Sequence, residues 1–74
     1  MNILQLILML LSTLSSPLGL KILACVTDPK NTTWALKLAC ITSATQGQTT
    51  PGTAEHHTVE AIKAHAQAAV DAGT

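Results

Sequence analysis

Apolar and polar positions divide this chain into four blocks. Met1 to Leu11 is a run of large aliphatic residues interrupted only by Asn2 and Gln5 and free of side-chain charge; Ser12, Thr13, Ser15, Ser16 and Pro17 follow it. Each such side chain gains roughly 1.5–3 kcal/mol on leaving water. Only about 50 residues follow the run, too few to bury it well, so it predicts a segment enclosed by lipid or by a secretion channel. Residues 1–24 form this leader, and residues 25–41 a short apolar segment. Residues 42–53 turn to Thr, Ser, Gln, Gly and Pro with Ala44 as the one apolar side chain, which predicts a flexible linker unable to bury surface. Residues 54–72 recover periodicity, this time helical.

The last block is the clearest element. Thr53 is an N-cap residue, Glu55 sits in the first turn where the helix dipole favours an anion, and Gly73 can close the end. Alanines at 61, 64, 66, 68, 69 and 72 give the highest helix propensity available. Val59, Ile62, Ala66, Ala69 and Val70 recur at helical spacing and make one narrow stripe of small side chains. Such a stripe suits close packing on another helix. In the middle block, Asp28-Pro29-Lys30-Asn31 reads as a turn. Thr33 then caps a short helix from Trp34 to Ile41, although the same residues also alternate as a half-buried strand would, and both readings stay open.

Three readings compete for the leader. Ile3 to Leu14 has the length of a secretory signal's apolar centre, and Ser15-Ser16-Pro17 with Gly19 fits the break after it. Ile22-Leu23-Ala24-Cys25 resembles a lipobox, which would make Cys25 a lipidation site; Thr42-Ser43-Ala44 is a second, lower-ranked small-x-small exit. The second reading is an uncleaved anchor from Ile3 to Leu20, close to the ~20 residues that span a bilayer but broken by Pro17. Lys21, Lys30 and Lys37 follow it and would favour a cytoplasmic C-terminal side. A buried core helix is the third reading. The balance favours export, giving a secreted or periplasmic protein, or one held on a membrane, that meets the membrane through its N-terminal segment at least transiently.

Composition narrows the function classes. The chain has 74 residues, no arginine and a formal net charge of +0, so no basic patch exists to neutralise nucleic-acid phosphates. Glu55, Glu60 and Asp71 against Lys63 alone argue against a cationic membrane-active peptide. Trp34 is the sole aromatic residue, and a chain this small usually needs a disulfide, a metal or a partner to be stable. The expected architecture is accordingly mainly α, with one amphipathic C-terminal helix, no self-sufficient core, and a helix partner or homo-oligomer to complete it. No nucleophile has a base near it in sequence, and no phosphate loop occurs, so an enzyme is not expected. Cys25 and Cys40 can pair in an oxidising compartment; alternatively Cys25 is lipidated or leaves with the leader. Asn31-Thr32-Thr33 is an N-glycosylation pattern, which makes Asn31 a candidate acceptor.

Candidate chemistry lies in His56, His57, Glu60 and His65. On a helix, His56 and Glu60 stand one turn apart and His57 and Glu60 are i,i+3 neighbours. Imidazole with carboxylate is a donor set for zinc, copper or nickel. His65 points roughly 80° from His57 and lies about 12 Å further along the axis. A single helix therefore offers too few ligands for a closed site, and a second chain would supply the rest. Glu55-His56-His57-Thr58-Val59-Glu60-Ala61-Ile62-Lys63-Ala64-His65-Ala66 through Gly73 resembles one repeat of the small metal-binding protein (SmbP-like) family. That resemblance implies an exported helical protein binding divalent metals weakly, with His56, His57, Glu60 and His65 as ligands. The alternative is a membrane-tethered interaction protein whose C-terminal helix packs on a partner and has no metal role.

Overall fold

In the computed structural model, which describes residues 3–73, the chain forms four helices: α1 (Ile3–Leu11), α2 (Ser16–Thr27), α3 (Trp34–Thr45) and α4 (Ala54–Asp71). Each boundary has a local cause. Between α1 and α2 lies a turn through Ser12–Ser15, after which Pro17 enters α2 in its first turn, where a missing N–H costs nothing. Pro29 ends α2, because the residue before a proline is pushed away from helical geometry; Asp28 is extended there, and its Oδ1 accepts from the Lys30 N–H at 2.9 Å. Thr33 caps α3 by accepting from the Leu36 N–H at 3.3 Å. Thr50-Pro51-Gly52-Thr53 then makes a tight turn, closed by a 3.2 Å bond from the Thr53 N–H to the Thr50 carbonyl. Gly52 has φ +91° at its third position, which an L side chain tolerates poorly. Thr53 caps α4 by accepting from the His56 N–H at 3.1 Å.

The four helices close a ring. Each packs on its neighbours in chain order, and α1 returns to α4. One isoleucine from each helix meets at the centre: Ile7, Ile22, Ile41 and Ile62 are all fully buried. Leu18, Cys25, Val26, Val59 and Ala66 complete the cluster. Burying those four isoleucines alone contributes roughly 1.5–3 kcal/mol each. The α4 stripe is part of this core, with Val59, Ile62, Ala66 and Ala69 buried against α1 and α3.

The chain is mainly α, as its pattern indicates, but α4 does not stand alone and a core exists. The reason is that α1 and α3 pack onto α4 and supply its helix partners from within the chain, while α2 bridges α1 and α3. The first two residues of the expected leader lie outside the described residues. The leader is not one helix, since the Ser12–Ser15 turn divides it; among the described residues no helix is long and apolar enough to cross a membrane. Trp34 to Ile41 is helix, not strand. Helix α3 also runs into the expected linker as far as Thr45, whose buried hydroxyl donates to the Ile41 carbonyl at 2.7 Å.

Candidate functional site

Helix α4 and the loop before it position the histidines. His56 is half-buried, and its two ring nitrogens face different partners. Nδ1 lies 2.8 Å from the Thr49 hydroxyl, on the connecting loop, and Nε2 lies 3.5 Å from Glu60 Oε1, one turn further along α4. The Thr49 hydroxyl can donate to Nδ1, with Nε2–H then facing the carboxylate, or accept from Nδ1–H, which leaves the Nε2 lone pair free for a cation shared with Glu60. Glu60 Oε2 meets the Lys63 ammonium at 3.0 Å. That ammonium, by hydrogen bond and by charge, holds the Glu60 carboxyl below the usual carboxylate range; desolvation opposes this, and His56 adds a weaker lowering. Glu60 is thus anionic throughout the neutral range.

His56, His57 and Glu60 line one open concavity of about 500 Å³ floored by Gly52, Thr53 and Ala54. His57 is exposed and His65 half-buried. The continuous α4 keeps His65 about two turns beyond His57. The fold therefore joins His56 with Glu60, sets His57 beside them and leaves His65 apart. Among the described residues, no group of three or more His, Cys, Asp or Glu side chains is placed to hold a metal ion. Thr49 was not legible as a partner of His56, since it lies in a polar stretch and reaches the ring only because the Thr50–Thr53 turn folds back.

Cys25 and Cys40 are joined by a disulfide with their Cα atoms 5.6 Å apart, tying α2 to α3. This replaces the lipidation reading for Cys25, a buried residue whose sulfur, held in the disulfide, has no valence left for a thioether. Asn31 is likewise committed: its Nδ2, the atom a glycan would use, donates to the Cys25 carbonyl at 2.9 Å. The Lys37 ammonium donates to the Asn31 carbonyl and lies 5.8 Å from the centroid of the Trp34 ring. The α2–α3 turn is thereby fastened beside the disulfide. Asn31→Ala is expected to lower stability by about 1 kcal/mol, the usual net worth of such a bond. A urea midpoint that does not move on this substitution would show that the bond is dispensable.

No protein-family model, curated protein or solved structure matches the chain.

Proposed function

We propose that the protein is a small exported helical protein that chelates one divalent cation weakly through His56 and Glu60. The observation that carries this reading is the placement of His56 Nε2 3.5 Å from Glu60 Oε1 while Thr49 orients the opposite ring nitrogen. A hydrogen-bonded second nitrogen fixes the tautomer and orientation of a metal-binding imidazole. An imidazole and a carboxylate one helical turn apart form a two-point chelate suited to zinc, copper or nickel. His57 stands close enough in sequence and exposed enough to join by a change of rotamer; water or a second copy supplies the remaining positions. The likeness of residues 55–73 to a repeat of the small metal-binding protein family points the same way. The disulfide supports export, because such bonds persist in oxidising compartments.

Lys63 gives this reading a sign that can be tested. Its ammonium competes with any cation for Glu60, so Lys63→Met should strengthen binding. In a calorimetric Zn²⁺ titration of the full oxidised chain, His56→Ala and Glu60→Gln should abolish the signal. Thr49→Val should weaken binding by about tenfold, as loss of an outer-shell partner does, and His65→Ala should leave it unchanged. No heat up to about 1 mM Zn²⁺, equivalent to less than about 4 kcal/mol, would remove the proposal. So would equal losses at His56 and His65.

A further inference from the structure

The outer face of α1 and α2 has no part in the metal chemistry and does not resemble an ordinary surface. Four of the five large hydrophobic side chains exposed among the described residues lie on it: Leu4 at 38%, Leu8 at 42%, Met9 at 59% and Leu20 at 64%. Leu8 and Leu20 also line an open groove of about 370 Å³, whose walls are Leu11, Leu14 and Leu23 together with Ser12, Ser15 and Gly19. From Ile3 to Leu20 the sequence contains no ionisable side chain. We propose that this face seats the folded protein on a lipid bilayer, with α1 lying in the plane of the interface and the leucine groove against the acyl chains.

Three observations select lipid as the occupant. Helix α1 is apolar on every side, Gln5 excepted, yet the fold buries only the side carrying Ile7. An all-round apolar helix belongs in a core or in hydrocarbon, and one half of this helix has only the first. Next, the carbonyls at the C-terminal end of α1 are satisfied within the chain. Met9 O accepts from the Ser12 N–H at 3.3 Å and the Ser12 hydroxyl at 2.7 Å; Leu10 O accepts from the Thr13 N–H at 3.1 Å and the Thr13 hydroxyl at 2.7 Å; Leu11 O accepts from the Leu14 N–H at 3.1 Å. These carbonyls would therefore not be left unpaired against hydrocarbon, where no water can serve them. Finally, the groove's lining is uncharged, and its two hydroxyls, those of Ser12 and Ser15, already donate within the chain, to the Met9 carbonyl and to Glu55 Oε1, so neither is left to set a register. A two-fold contact with a second copy would lay groove against groove. A fluid acyl layer fills a trough without needing a register.

Nine residues of α1 extend about 14 Å at 1.5 Å per residue, less than half the ~30 Å hydrocarbon thickness, so the helix lies on the bilayer and does not cross it. The attraction is apolar, and neutral vesicles should suffice.

The experiment is flotation of the full oxidised chain with phosphatidylcholine vesicles at low and high salt, with sedimentation of the lipid-free protein alongside. The protein should float with the vesicles at both salt levels and sediment as a monomer without them. Met9→Glu combined with Leu20→Glu should cut the bound fraction at least tenfold, and Leu36→Glu, on the exposed side of α3, should not. Leu20→Gln is a milder variant that retains the fold if two glutamates do not, and it should weaken flotation in the same direction. Absence of flotation, flotation confined to anionic vesicles and abolished by salt, or a dimer dissolved by the Met9 and Leu20 substitutions would each overturn the proposal. None of these outcomes bears on the zinc titration.

Discussion

A chain beginning at Cys25 should lose its cooperative unfolding transition. Residues up to 24 supply Ile7, Leu18 and Ile22, three of the nine members of the buried cluster. They also supply Ile3, Leu10, Leu11, Leu14 and Leu23, half-buried around it. At roughly 1.5–3 kcal/mol per fully buried aliphatic side chain, the first three alone amount to about 5–9 kcal/mol. A domain of this size has a net stability of about 5–15 kcal/mol, and the smallest domains lie near the lower end. Loss of α1 also uncovers Val59, Ile62 and Ala66 on α4, leaving an apolar stripe in water. The truncated protein should therefore melt without a sigmoidal transition in far-UV circular dichroism, and should sediment as a mixture of associated species at micromolar concentration. A truncated monomer that melts cooperatively would mean that the leader lies against the core without holding it.

This expectation also defines what a signal-peptide reading would entail. Removal of residues 1–24 and retention of the four-isoleucine core are alternatives, so the fold described here belongs to the uncut chain. Intact mass of the expressed protein separates the two cases.

The same residues show how far the sequence could be read. Helix α4 was legible almost to the residue, because Thr53, the alanines and Gly73 act locally and each determines its own turn of backbone. Thr33 and the Asp28–Asn31 turn were legible for the same reason. The fate of the leader was not. An uncharged aliphatic run is equally suited to hydrocarbon and to a protein interior, and the choice depends on whether another surface of matching shape exists elsewhere in the chain. Here that surface is the α4 stripe. It is narrow because it is built from alanine, and its narrowness lets α1 and α3 approach closely. Read alone, the stripe pointed to a missing partner, and the partner lay within the chain. The side-chain ties between the two regions give little sequence signal: Thr13 to Thr58 and Ser15 to Glu55, both at 3.4 Å, join residues more than 35 positions apart. At the candidate metal site, the His56–Glu60 spacing was legible because it follows from helical periodicity. Thr49 was not, because its reach depends on the positive φ at Gly52.

Reduction of the disulfide, or replacement of Cys25 and Cys40 together by Ala, should produce the second-largest loss. The bond links positions 15 apart. Closing a loop of that length removes enough freedom from the unfolded chain to stabilise the fold by about 3 kcal/mol in the chain-entropy description. For a domain this small, each kcal/mol corresponds to about 4–8 °C in Tm, so a fall of about 12–24 °C is expected. The loss should also depend on Asn31, whose side chain bonds to the backbone of Cys25. Once the bridge is broken, the end of α2 and the turn after it can separate from α3, and the Asn31 bond no longer acts on a fixed partner. A double-mutant cycle should therefore give less than the sum of the two single losses. The oxidised protein should weigh two hydrogens less than the reduced one and carry no added lipid. A melting temperature that stays within about 2 °C on reduction, far less than the shift expected from ~3 kcal/mol, would place the strength of the α2–α3 pairing in its packing and not in the covalent link.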